Sequence, residues 1–399
     1  MIGTVPSIPV LWLCGPSGVG KTTVGWEIFT QLTREGIEAG YVDIDQLGIC
    51  YPEPPGDPER HRIKARNLGA VVTNFLAAGA RCIIVSGVVD PVRGVHPGQI
   101  PQAALTVCRL RASQDVLRQR FLRRGGQAEL MEDVLRESAV LDVSDFADVC
   151  VDASARPVSE VARLVREHND GWPALAGPGR SSGMAEPGRD AAKPDRHPAE
   201  PDRDPAAADG PVLWLCGATG VGKSTVGFEV YQRARRAGLT AAYIDLDQLG
   251  FCRPGPADDP GNHRVKALNL AAVWRTYRAA GAQCLTMVGP VENQVAVAVY
   301  TDALPSAAIT LVRLHAGRDQ LARRILLRGQ GQGSWPQPGD PLLGQSTECL
   351  IQVTDQAAGA AAALDRASIG AMSVDTDSHT AEDAADVIIA QTGWPGRAV

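Results

Sequence analysis

The chain has 399 residues, 44% of them hydrophobic and 21% charged, with a formal net charge of −6 and an isoelectric point near 5.7. That length exceeds one ordinary core and predicts two domains, while the acidic balance argues against a nucleic-acid partner. No apolar run approaches membrane-spanning length and the start MIGTVPSIPV lacks the make-up of a signal peptide, so no membrane association and a cytoplasmic location are expected.

In chain order, VLWLC (10–14) reads as a buried strand, followed by a glycine-rich turn and a helix from about Lys21 to Arg34. AGYVDID (39–45) is a second strand and YPEPPGDPE (51–59) a proline-rich loop. A helix from about Glu59 to Ala78 leads into the strand RCIIVSG (81–87). ALTVCRL (104–110) is a further strand, then come a charged helix from Ser113 to Arg124 and a polar segment. DVCVD (148–152) and a helix from Val158 to Glu167 complete the unit. Strands alternating with helices predict an α/β fold, a mostly parallel sheet with helices on both faces and ligands at the strands' carboxyl ends.

The unit is then repeated. An offset of 202 carries Gly15 to Gly217, Lys21 to Lys223, Asp43 to Asp245, His61 to His263 and Asn67 to Asn269, and VDAS (151–154) returns as VDTD (374–377). A period of domain size predicts a tandem duplication: one domain over 1–172, a linker over 173–210 and a second domain over 211–399. The linker, rich in Pro, Ala, Gly and alternating charge, is expected to be disordered and leaves contact between the two domains open. Cys14, Cys82 and their twins Cys216 and Cys284 read as small buried strand residues.

GPSGVGKT and GATGVGKS both fit G-x-x-x-x-G-K-[ST]. Gly15, Gly18 and Gly20, with Gly217, Gly220 and Gly222, let the backbone turn amides toward a phosphate, and the helix start adds its dipole. Lys21 and Lys223 would reach the outer phosphates, Thr22 and Ser224 would place a hydroxyl on Mg²⁺, and Thr23 and Thr225 follow in the same turn. The chain holds 34 arginines and only five lysines, so a lysine repeated in register suggests that a compact ammonium is wanted there.

From these loops and the strand endings YVDIDQLG and YIDLDQLG, each copy resembles the P-loop small-molecule kinases, the group of adenylylsulfate, shikimate and gluconate kinases. The resemblance implies two tandem P-loop NTPase domains using ATP and Mg²⁺ and transferring a phosphoryl group to a small-molecule acceptor. It places Asp43 and Asp245 toward the metal, and Asp45 and Asp247 on the acceptor hydroxyl, both carboxylates leaving the strand end on one side. The strand ending Ser86-Gly87-Val88 lacks the aspartate usual in hydrolytic P-loop ATPases, which favours the kinase branch. It also implies lid arginines: Arg120 and Arg124 in RLRASQDVLRQRFLRRGG, Arg324 and Arg328 in RLHAGRDQLARRILLRGQG.

HRIKARNLGAV and HRVKALNLAAV set His61, Lys64 and Asn67, and His263, Lys266 and Asn269, along one helix side, a polar stripe suited to holding the acceptor. The copies differ where the second inserts GQGSWPQPGDPLLGQ (331–345) and lacks a match for Arg93. An ATP-dependent regulatory switch and a nucleotide-binding module with a vestigial acceptor site are the alternatives.

Overall fold

The computed structural model describes residues 7–123, 128–169, 172–173, 210–333 and 340–396. Most of the expected linker and the lid residue Arg124 lie outside these residues.

Each half is built on a parallel sheet. In the first, β1 (Ile8–Cys14), β2 (Ala39–Asp43), β4 (Cys82–Ser86), β5 (Ala103–Arg111) and β6 (Val149–Asp152) run in the order β6-β5-β1-β4-β2. In the second, β7 (Pro211–Cys216), β8 (Ala241–Asp245), β10 (Cys284–Val288), β11 (Ala308–His315) and β12 (Met372–Asp375) repeat it as β12-β11-β7-β10-β8. The central strands are continuous apolar runs because helices cover both faces. These helices are α1 (Lys21–Arg34), α2 (His61–Ala77), α3 (Gln114–Arg123), α4 (Met131–Asp142) and α5 (Val158–His168) in the first half. The second half holds α6 (Lys223–Arg236), α7 (His263–Ala279), α8 (Gln294–Ala303), α9 (Arg318–Gly329), α10 (Thr347–Arg366) and α11 (Ala381–Thr392). Among the described residues no helix is long and apolar enough to cross a membrane.

The proline-rich loops do more than connect. β3 (Cys50–Tyr51) leaves the first half and pairs antiparallel with β8, and β9 (Cys252–Arg253) leaves the second and pairs antiparallel with β2. The exchange is reciprocal: the Tyr41 amide donates to the Phe251 carbonyl at 2.7 Å and the Tyr243 amide to the Ile49 carbonyl at 2.9 Å. Phe251 packs among Trp26 and Tyr41, while Ile49 and Tyr51 join the second half's apolar cluster. Helices α2 and α7 pack together, Asn74 Nδ2 donating to Asn269 Oδ1 at 2.9 Å, and one apolar core runs through both halves there.

Two expectations are corrected. The second strand ends at Asp43, and Ile44–Gly48 form a 3-10 turn, so Asp45 is not a strand residue and the period-two argument does not place it. The polar segment after the third helix contains α4, which buries only Val134, Ser138 and Leu141 and so carries a weak apolar stripe. In the second half QVAVAVYTDA, a stretch that alternates like a strand and for which no element was expected, is helix α8, started by the Asn293 side chain accepting from the Ala296 amide.

Candidate active site

The loop between β1 and α1 is forced into its shape by close packing. Gly15 has φ +139, and a Cβ there would lie 2.3 Å from the Leu110 carbonyl oxygen; Gly217 repeats this at φ +140 and 2.5 Å from the Leu314 oxygen. Gly20 and Gly222, at φ +108 and +100, open α1 and α6 and aim their first amides into the cradle. Gly18 and Gly220 complete each loop at φ +82. Lys21 Nζ lies across it, donating to the Gly15 and Pro16 carbonyls at 2.7 and 3.1 Å, and Lys223 does so to Gly217 and Ala218 at 2.9 and 3.0 Å. Burial pulls the Lys223 ammonium below the ordinary lysine range.

In the second half the hydroxyl and the carboxylate expected to serve a metal meet beside the cradle. Ser224 Oγ donates to Asp245 Oδ2 at 3.2 Å, and Thr22 stands next to Tyr41, whose hydroxyl is 2.7 Å from Ser86 Oγ. Asp43 and Asp245 are buried at the strand ends, each accepting from the amide two residues on, Asp45 or Asp247, at 3.0 Å. Burial first, and the second carboxylate of the pair next, raise both Asp43 and Asp245 above the usual carboxylate range. A hydroxyl beside a desolvated carboxylate, open to a phosphate cradle, is a donor set that suits Mg²⁺, which keeps waters and takes few protein ligands. Among the described residues no group of three or more His, Cys, Asp or Glu forms a closed metal cage.

The polar stripe is arranged differently from the reading above. Asn67 and Asn269 are fully buried and donate to the Leu47 and Leu249 carbonyls at 2.8 and 2.7 Å, so neither opens on the cleft. Lys64 and Lys266 bind Asp45 and Asp247 at 2.9 Å. Three-residue spacing turns the inner side of the helix onto the 3-10 turn, and buried polar groups there need partners. His61 is half-buried, and burial followed by the Lys64 charge lowers its pKa. His263 is locked between Tyr300 Oη at 2.9 Å and Glu292 Oε2 at 2.9 Å. Asp90, the equivalent of Glu292, instead accepts from the Val92 and Arg93 amides.

The arginines brace the loop. Arg120 donates to the Val19 and Ala153 carbonyls at 2.9 and 2.8 Å, and Arg324 to those of Val221 and Thr376 at 3.0 and 2.7 Å. Each ties the phosphate loop to the turn after the last strand, a placement set by the acceptors that a half-buried guanidinium needs. Arg328 Nε donates to Asp340 Oδ2 at 2.9 Å, a carboxylate from the second half's insertion.

Sequence reading missed the floor beside each cradle. A cavity of about 310 Å³ in the first half is lined by Gly20, Thr23, Arg120, Ala153, Arg156 and Val158. In the second half a cleft of about 1130 Å³ runs from the phosphate loop past Asp245, Asp247 and Lys266 to Arg253, with Thr33 of the first half on its wall. The repetition of VDAS as VDTD was the available signal for Ala153 and Thr376. Glu137 on α4 had none: its carboxylate takes the Ser17 amide of the first phosphate loop at 3.4 Å, and burial raises its pKa.

No protein-family model matches the chain, and no curated protein does. Similar solved structures include a sugar kinase from Janibacter sp. HTCC2649, at 18% identity, covering 42% of this chain and 98% of that one with a TM-score of 0.32. The APS kinase of Mycobacterium tuberculosis, in complex with AMPPNP and APS, is 16% identical over 47% of this chain and 99% of that one, with a TM-score of 0.30. A gluconokinase from Sinorhizobium meliloti 1021 is 22% identical over 41% and 91%, with a TM-score of 0.28. In this chain each half's own five strands form a parallel sheet clothed by helices, with the G-x-x-x-x-G-K-[ST] loop between the central strand and the helix that follows it.

Proposed function

We propose that the chain is a phosphotransferase that moves the γ-phosphoryl group of ATP to a hydroxyl or phosphate of a small molecule. The observation that carries this is the second half's continuous cleft of about 1130 Å³, which joins a phosphate cradle to a half-exposed carboxylate, Asp247. Loop amides and Lys223 would hold the outer phosphates, and Arg324 would keep the loop in shape. Asp247 would accept the acceptor's proton as the new O–P bond forms and ADP leaves. Ser224 and Asp245 would hold Mg²⁺, which when bound neutralises phosphate charge. Catalysis then rests on positioning rather than on a covalent intermediate. In the first half Lys21, Thr22, Asp43 and Asp45 would take these roles.

A second reading applies to the first half alone. Glu137 sets a carboxylate on an amide meant for phosphate, which favours a regulatory nucleotide site there. The test is a transfer screen with labelled ATP against nucleoside monophosphates, sugar acids, adenylylsulfate and aminoglycoside-like alcohols, with Lys21→Met and Lys223→Met variants alongside. Label should pass to one acceptor class, fall with Lys223→Met and be lost when Lys21→Met and Lys223→Met are combined. Steady hydrolysis with no labelled acceptor would replace transfer by a switch.

A further inference from the structure

Four of the five lysines in the chain form two pairs related by the repeat, and only one pair belongs to the phosphate loops. The other, Lys64 and Lys266, lies in the first turn of α2 and of α7 and is nearly enclosed, at 4% and 8% exposure. Each ammonium bonds the second carboxylate of its Asp-x-Asp pair at 2.9 Å: Lys64 to Asp45 Oδ1 and Lys266 to Asp247 Oδ1. The carboxylate side chains are about half exposed, at 46% and 45%, whereas the lysine side chains are 5% and 10% exposed. The second half's cleft is lined by both residues, but the carboxylate is the more exposed to it and little of the ammonium is left for a ligand.

The glycine ending each Asp-Gln-Leu-Gly segment explains how the lysine gets there. A Cβ on Gly48 would fall 2.6 Å from Lys64 Cε and 2.7 Å from Cγ. On Gly250 it would fall 2.5 Å from both Cε and Cγ of Lys266. Gly250 has φ −127, a backbone any residue adopts, so glycine is needed there for the lysine stem rather than for the turn. Three residues further along the helix, Asn67 and Asn269 hold the Leu47 and Leu249 carbonyls. Each helix thus grips the turn after Asp43 or Asp245 at two points, through its carboxylate and through its backbone.

We infer that Lys64 and Lys266 are positioning residues that act through Asp45 and Asp247, fixing the aim of each carboxylate into the cleft without touching the acceptor. This rests on the phosphotransfer reading. A lysine suits the role because its thin stem fits the channel floored by glycine, where a planar guanidinium does not.

The test is a double-mutant cycle on the full chain carrying Lys21→Met, so that turnover reports the second half. The reaction is MgATP with the acceptor found by the screen; where none gains label, it is MgATP hydrolysis, read on kcat alone. Asp247→Asn should lower kcat by about 10²-fold. Lys266→Met should lower it by about tenfold, the scale of a misplaced group, with acceptor KM and AMPPNP affinity unchanged. Asp247→Asn with Lys266→Met should be no slower than Asp247→Asn alone, since residues acting as one unit are not additive. Gly250→Ala should reproduce Lys266→Met by displacing the stem, and Lys266→Arg should not restore the rate. Lys266→Gln replaces Lys266→Met if the latter does not fold. The inference is overturned if Lys266→Met raises acceptor KM with kcat intact, or if the double variant loses the product of the two single losses. Where Asp247→Asn leaves turnover intact and Lys223→Met abolishes it, the phosphotransfer role of Asp247 is what fails.

Discussion

At Gly15 two constraints coincide, a left-handed φ and a carbonyl oxygen where a side chain would begin; at Gly20 only the first applies, since nothing lies within 4 Å of an added Cβ. Gly15→Ala should therefore destabilise the chain by about 2 kcal/mol or more, and Gly20→Ala by less. Thermal unfolding of the two variants checks the order, and equal losses would mean that the Leu110 contact does not matter. A parallel argument covers Arg324, whose guanidinium satisfies the Val221 and Thr376 carbonyls. Arg324→Ala should lower stability by about 1–3 kcal/mol, chiefly through the Thr376 carbonyl, since the Val221 carbonyl keeps the Thr376 hydroxyl as a donor. It should also weaken AMPPNP binding, because the loop loses its brace to the turn after β12. Calorimetry that finds the nucleotide bound as tightly as before would return this arginine to a purely structural part.

Helices α4 and α10 occupy equivalent places but present different groups to their cradles. Arg109 pairs with Asp142 and Arg313 with Asp365, a register in which Glu137 corresponds to Ala360. The first phosphate loop thus faces a carboxylate that competes for an amide with any incoming phosphate, whereas Ala360 at the equivalent place on α10 carries none. In the Lys223→Met background, Glu137→Ala should tighten AMPPNP binding to the first half several-fold, as expected for removal of a like charge near the anion. Titration calorimetry reads this, and unchanged affinity would show that the carboxylate swings aside freely. These elements also mark how far sequence reasoning reaches. Helix α1 and the phosphate loop were legible to the residue, because glycine spacing and the following apolar period are local signals. Helix α8 was not, since its alternating valines imitate a strand and only the Asn293 cap and burial against Trp214 make it helical. Nor did the spacing of His61, Lys64 and Asn67 reveal that two of the three face inward, because periodicity gives the shared side of a helix and not what covers it.

For the molecule as a whole, the exchanged strands β3 and β9 decide how the halves relate. Each parallel sheet would otherwise end at an open edge on β2 or β8, a row of unpaired amides and carbonyls that folded proteins protect. Here each edge is closed by a two-residue strand from the opposite half, and equivalent residues make both contacts, the geometry of a two-fold dimer drawn within one chain. Those strands come from the loops that join the Asp-x-Asp turns to α2 and α7, so each Asp-x-Asp turn is anchored on the other half's sheet. A protease site placed within residues 174–209 should therefore leave the cut halves together on a sizing column. Ile49→Asp combined with Phe251→Asp should let them part after cutting, since each sets a carboxylate among apolar and aromatic side chains, Trp26 and Tyr41 on one side and the equivalent cluster on the other. If the cut halves separate without those substitutions, the exchange does not hold the molecule together. If they stay together with them, the α2–α7 face is sufficient and the strands serve to hold the Asp-x-Asp loops instead.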